Sequence, residues 1–177
     1  MSDRLGESRP QILDEHVRRL DRWLRSTGVP FEFIMPGTPM PTISLAAAAI
    51  GIAEREILKS LLFEGRNGDV ALVIASGPSR VDKTVLAEVT GLCTPRLATP
   101  ETVLALTGFP AGGVAPVGHT TRFPVYIDEA LMQLDEAFGG GGSEDVLLRL
   151  RPEDIVQLTH GTVVALTPSS LLGGSSR

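Results

Sequence analysis

Four stretches of the chain carry residue types that could do chemistry. The first is Gly77-Pro78-Ser79-Arg80-Val81-Asp82-Lys83-Thr84, which lies between a strand-like run and a helical one. A phosphate loop reads G-x-x-x-x-G-K-[ST], and its backbone amides cradle phosphate oxygens. Here Asp82 holds the second glycine position, where a carboxylate and a Cβ oppose phosphate approach. A turn followed by an Asp helix cap explains the segment more simply. The second is Lys59, inside the apolar run Ile57-Leu58-Lys59-Ser60-Leu61-Leu62-Phe63. Strand alternation puts Lys59 on the face of Ile57, Leu61 and Phe63. Such a lysine either snorkels at a sheet edge or points into a cleft, where it can bind a phosphate or carbonyl oxygen. Snorkelling is the commoner arrangement, since lysines are rarely fully buried; the pattern alone leaves both open.

The third stretch is Gly112-Gly113-Val114-Ala115-Pro116-Val117-Gly118-His119. Adjacent glycines let backbone amides approach a ligand closely, and Pro116 stiffens the loop. Such a loop can polarise a carbonyl with no side chain involved; it can equally be a plain connector. The fourth is the histidines. His16, His119 and His160 lack metal-ligand spacing, and no serine sits in a G-x-S-x-G elbow. His119 follows the glycine loop but has no partner in sequence that would make it a base. Cys93 reads as a small apolar residue near a helix end.

The elements that must position these residues fit one domain. The chain has 177 residues, is 42% hydrophobic and 21% charged, and so should fold around a single core. Aromatics are 5%, which makes that core aliphatic. A net charge of −5 argues against coating nucleic acid through bulk charge, though not against a local basic patch. One cysteine excludes an internal disulfide and a cysteine-cage metal site. No apolar run approaches the ~20 residues of a membrane span, and the first ten residues lack a signal-peptide core. The expectation is a cytoplasmic protein with no membrane partner.

Residues 1–9 read as a polar arm, 10–167 as the domain and 168–177 as a Ser/Gly-rich tail. Ser8 and Gln11 have capping-box spacing, and Leu13, Val17, Leu20 and Leu24 form one helical face that stops at Gly28. A short strand follows at 31–35. Thr42 should cap a helix ending at Gly51. Residues 57–63 and 70–75 read as strands joined through Asn67-Gly68. Asp82 should cap a helix ending at Gly91, and Thr99-Pro100-Glu101 should open one ending near Gly108. Extended pieces are expected at 95–98, 125–127, 146–150 and 162–166, a helix at 152–158, and a second glycine loop at 139–142. Strands and helices mix without strict alternation, which favours a mixed α/β, α+β-like domain over a doubly wound one.

Read together, these features resemble the YbaK/EbsC family, the prolyl-tRNA synthetase-associated editing domain, from about Val29 to Leu166. The run around Lys59-Ser60-Leu61 is similar to the family's K-T-L strand, with Ser60 for the usual threonine. Ser79-Arg80-Val81-Asp82-Lys83 before a helix is a second match. Ala98-Thr99-Pro100-Glu101, Leu106-Thr107-Gly108 and the 112–118 loop follow the order A-T-P-E, L-T-G and G-G-x-x-P-x-G. Gly141-Gly142, then the 146–150 strand and Pro152-Glu153-Asp154-Ile155, complete the pattern. Gly140 and Ser143-Glu144 depart from it, where relatives often carry a small polar residue and a basic pair.

The resemblance implies a single domain whose mixed sheet curls around a pocket, flanked by helices. It implies a trans-acting deacylase that hydrolyses the ester of a mischarged tRNA of the tRNA-Pro class, with no metal and no cofactor. Lys59 would hold the tRNA 3′ end and orient the ester. Gly112, Gly113 and Pro116 would bind the aminoacyl carbonyl, and Gly141 and Gly142 would form the second wall. Partners would be aminoacyl-tRNA and, as a candidate, prolyl-tRNA synthetase. Water would attack with help from a ribose hydroxyl. The rival readings are a module that binds an aminoacyl or small ligand, or a partner protein, without turnover, and a nucleotide binder using residues 77–84.

Overall fold

The computed structural model describes residues 14–167. The 1–9 arm, the Ser8/Gln11 capping pair, Leu13 and the 168–177 tail lie outside the described residues. The first helix, α1 (Glu15–Thr27), is capped at Asp14, whose carboxylate accepts from the His16 amide at 2.8 Å. Val17, Leu20 and Leu24 on its inner face are fully buried, each contributing about 1.5–3 kcal/mol by burial. Gly28 ends α1 in the left-handed conformation, at φ 78°.

The remaining elements follow in chain order: β1 (Glu32–Ile34), α2 (Ile43–Ile50), β2 (Leu58–Glu64), β3 (Val70–Ser76), α3 (Lys83–Thr90), β4 (Arg96–Leu97), α4 (Pro100–Thr107), β5 (Val125–Asp128), β6 (Ala137–Gly140), β7 (Leu147–Leu150), α5 (Pro152–Thr159) and β8 (Thr162–Val164). Single 3-10 turns stand at Glu54–Glu56 and Glu129–Gln133. Thr42, Asp82 and Thr99 cap α2, α3 and α4 through their side chains, as their positions before apolar runs suggest.

Five strands form one sheet in the order β4-β2-β3-β5-β8, antiparallel as far as β3 and parallel beyond it. Three form an antiparallel sheet in the order β1-β7-β6. A parallel bridge from Ile57 to Phe138 links the two. The sheets are not closed, and the mixed single-domain architecture matches the sequence expectation.

The apolar run of β3 is buried on both faces, as an unalternating strand sequence requires. On one face, Leu72 and Ile74 pack with Leu58 and Leu62 of β2, with Leu20 and Leu24 of α1, and with Leu148 of β7. On the other, Ala71 and Val73 pack with Phe63, Leu86 and Leu166. A third cluster joins Ala46 and Ala47 of α2 to Ile57, Phe138 and Leu147 at the seam between the sheets.

Two expectations change. Residues 139–142 are not a loop throughout: Gly139 and Gly140 pair with Leu148 and Leu147 as the end of β6. A glycine strand is tolerated there because the Leu58 side chain stands where a Gly139 Cβ would go and the Val114 backbone where a Gly140 Cβ would go. Ile57 does not share the cluster of Leu61 and Phe63, because it lies before β2 and turns to its bridge with Phe138. Among the described residues no helix is long and apolar enough to cross a membrane.

Candidate active site

The seam between the sheets opens into a cleft of about 450 Å³. The start of β2 supplies Leu58, Lys59 and Ser60, and the loop after α4 supplies Gly112 and Val114. The end of β6 and the turn before β7 supply Gly140, Ser143 and Glu144. Met40, Ile43 and Ala46, on α2 and the loop before it, close one side. Residues far apart in the chain therefore meet at one concave, largely apolar surface with a few polar groups, the usual character of a ligand site.

Lys59 is half-buried on β2, and its ammonium donates to the Ser79 carbonyl. Desolvation lowers its pKa first, and the Arg80 guanidinium lowers it further. Both effects disfavour the charged form of Lys59 itself, and an anion or polarised oxygen entering the cleft would offset them. Ser60 Oγ beside it is buried with no hydrogen-bond partner.

The two glycine segments touch through their backbones. The Gly142 amide donates to the Gly113 carbonyl at 2.9 Å. A Cβ on Gly113 would stand 2.8 Å from Ser143 Cα, and one on Gly140 would stand 2.4 Å from the Val114 carbonyl oxygen. Only glycine permits that approach. The amide of Gly113 is committed to Pro110 at 3.0 Å, and that of Gly141 to Val146 at 2.9 Å. Among the described residues, the amides of Gly112, Val114 and Ala115 donate to no protein acceptor. Gly112 and Val114 line the cleft and Ala115 is buried behind it, while the amides of Gly113, Gly141 and Gly142 are bonded within the protein. Pro116 is buried, with its Cδ 3.2 Å from where a Cβ on Gly139 would stand.

His119 fastens this loop from beneath. Its Nε2 lies 2.8 Å from the Ala115 carbonyl, which can only accept, so Nε2 carries the proton. The ring packs edge-on to Phe109 and against Phe123. Desolvation pushes its pKa down to about 4, against the Ala115 hydrogen bond and with the nearby Arg19 charge. Arg19 of α1 donates to the carbonyls of Gly118 at 2.8 Å and Gly108 at 3.1 Å, with its guanidinium 4.5 Å above the Phe109 ring. No local signal marks Arg19 in the sequence, because its partners lie about ninety residues away. The α2 wall was missed for the same reason.

Other candidates fall outside the cleft. Asp82 Oδ1 accepts from the Thr84 and Val85 amides at 2.8 and 3.2 Å, so the donors a phosphate would need are taken. Residues 77–84 are a turn and a cap. Arg96 pairs with Glu64 at 3.5 Å, and Arg122 lines a different hollow beside Gly68 and Phe123. Cys93 and His160 are exposed. Among the described residues, no three His, Cys, Asp or Glu side chains come together as a metal site.

The aminoacyl-tRNA editing domain family matches residues 38–158, more than half of the chain. The Bacillus subtilis protein YwhH, named as uncharacterised, is 31% identical over 126 residues, covering 71% of this chain and 80% of that one. An Enterococcus faecalis protein named "Putative Cys-tRNA(Pro)/Cys-tRNA(Cys) deacylase EbsC" is 27% identical over 121 residues, covering 68% and 74%. A solved structure described as "a putative trans-editing enzyme for prolyl tRNA synthetase" superposes with a TM-score of 0.80 at 36% identity, covering 89% of this chain and 99% of that one.

Proposed function

The chain belongs to the aminoacyl-tRNA editing domain family, and from that premise we propose that it acts in trans on mischarged tRNA of the tRNA-Pro class, hydrolysing the aminoacyl ester without a metal. One observation carries the reading: Lys59 and the glycine loop at Gly112 and Val114, whose amides have no protein acceptor, border a single cleft of about 450 Å³. In this reading Lys59 holds the 3′ end and orients the ester. The Gly112 and Val114 amides polarise the carbonyl, as donors fixed before the reaction starts. A water molecule attacks the carbonyl carbon, and the bond to the ribose oxygen breaks. That oxygen takes the proton the water loses. Free amino acid and uncharged tRNA leave. An ester needs no protein nucleophile for this, since positioning and carbonyl polarisation together supply several kcal/mol.

The names of two relatives support the tRNA-Pro class, and one of them supports prolyl-tRNA synthetase as the partner. A second reading, a module that holds the aminoacyl end without turnover, draws on the amides of Gly113, Gly141 and Gly142 being committed internally. The deciding experiment offers alanyl, cysteinyl and seryl esters of tRNA-Pro to wild type and to Lys59→Ala. Wild type should release the amino acid, and the variant should be slower by about 100-fold or more, the scale of losing one electrostatic contact to the reacting group. No release of any ester by folded wild type would leave the binding module.

A further inference from the structure

The turn between β6 and β7 presents a carboxylate that the chemistry above does not use. Glu144 is exposed and lines the cleft. Its Oε1 lies 3.3 Å, and its Cγ 3.5 Å, from where a Cβ on Gly112 would stand, so the carboxylate rests against the glycine loop. The turn itself is bonded: Ser143 Oγ donates to Asp145 at 2.6 Å, and the Ser143 carbonyl accepts from the Val146 amide at 3.4 Å. Among the described residues, Glu144 makes no hydrogen bond and no ion pair. The nearby acids differ. Glu32 and Glu136, on and beside the same sheet, lie 2.8 and 3.6 Å from Arg149.

A carboxylate at the mouth of a site for a tRNA end repels phosphate. It is complementary to a cation, and an aminoacyl ester with a small neutral side chain brings only one, the α-ammonium. Ordinary bond lengths hold that nitrogen about 3 Å from the ester carbonyl oxygen. If the carbonyl rests on the amides of Gly112 and Val114, the ammonium falls within reach of a carboxylate that abuts Gly112. Resting on the proposed function, we propose that Glu144 binds the α-ammonium of the aminoacyl group and confines the site to esters whose amino group is unblocked.

The test compares alanyl-tRNA-Pro with N-acetyl-alanyl-tRNA-Pro, using wild type and Glu144→Gln. Wild type should favour the free amine by about tenfold, between the worth of an exposed ion pair and that of a charged hydrogen bond. The variant should lose most of that preference, through KM more than kcat. Equal rates on both esters in wild type, or a preference unchanged in the variant, would overturn the assignment. A purely structural role would lower both rates together and overturn it too. If wild type hydrolyses neither ester, the hydrolytic reading fails, and binding decides this one. The probes are then the stable amide 3′-alanylamino-3′-deoxyadenosine and its N-acetyl form, titrated by NMR. Tighter binding of the free amine in wild type, lost in Glu144→Gln, would uphold the assignment; equal affinities, or no binding to wild type, would overturn it.

Discussion

Replacing Gly140 by alanine tests whether the two walls of the cleft meet backbone to backbone. The added Cβ would stand 2.4 Å from the Val114 carbonyl oxygen and 2.9 Å from the carbonyl carbons of Gly113 and Val114. All three are main-chain atoms, so no rotamer can move aside. Ordinary contact begins near 3.4 Å, and one wall must retreat by about 1 Å. Overpacking of this kind costs about 1–3 kcal/mol. For a chain of this length, 2 kcal/mol lowers Tm by roughly 4–8 °C. The same retreat shifts the Gly113–Val114 main chain and with it the Val114 amide, and a misplacement near 1 Å is worth about 100-fold in rate. Gly68→Ala is the control, since its Cβ would meet nothing within 4 Å but its φ is +85°. Left-handed strain alone costs about 1–2 kcal/mol. Calorimetry and ester hydrolysis on both variants separate the effects. Both should melt earlier, and only Gly140→Ala should lose hydrolysis. A Gly140→Ala protein with wild-type Tm and wild-type rate would refute the close approach. Lost stability with a normal rate in the folded fraction would refute its role in placing the amides.

Arg19→Met leaves the Gly118 and Gly108 carbonyls without their donor, at about 1–3 kcal/mol. Because α1 contacts the loop and not the cleft, kcat should fall more than KM, and Arg19→Lys should restore part of the loss; steady-state kinetics on the three proteins checks this. His119 should make stability depend on pH. Its folded pKa of about 4 lies below the unfolded value of 6.5, so between these values the unfolded chain binds the extra proton. Its contribution is complete above about pH 6.5 and is lost as pH falls toward 4, by up to about 3 kcal/mol. Urea melts at pH 7 and pH 4.5 should show that loss in wild type and not in His119→Gln, whose amide can still donate to Ala115. An equal pH slope in both would remove His119 as the cause.

The parts of the fold legible in the sequence are those decided within a few residues. Thr42, Asp82 and Thr99 cap helices because a short oxygen-bearing side chain reaches amides two or three positions on. Gly28, Gly51, Gly91 and Gly108 end helices because each must enter the left-handed region. The strand of Lys59 and the glycine loop were legible through their order along the chain, which is the form in which a family pattern is written. What was not legible depends on distance in space. Arg19 reads as one more surface arginine on an amphipathic helix until Gly108 and Gly118 are brought beneath it. Gly139 and Gly140 look like loop residues because their composition is a loop composition. They are strand because Val114 and the Leu58 side chain occupy the space their own side chains would need.

That last case bears on how the site works. Glycine in a strand weakens it, by lost packing and by the entropy of ordering. The cost is accepted at Gly140, where it lets a second backbone lie directly against β6, and at Gly139, where the Leu58 and Pro116 side chains fill the space. The second backbone is the loop whose amides at Gly112, Val114 and Ala115 remain without acceptors. The loop cannot flatten onto its own carbonyls, because Gly142 already donates to Gly113, and His119 holds Ala115 from the other side. Its donors are therefore kept apart from internal partners by the same contacts that fix their position. A carbonyl entering the cleft would find those of Gly112 and Val114 oriented and unsatisfied, which is the condition under which a hydrogen bond to a developing negative charge is worth most. On this argument, the glycines act by what they let in behind the loop more than by what they present to the substrate.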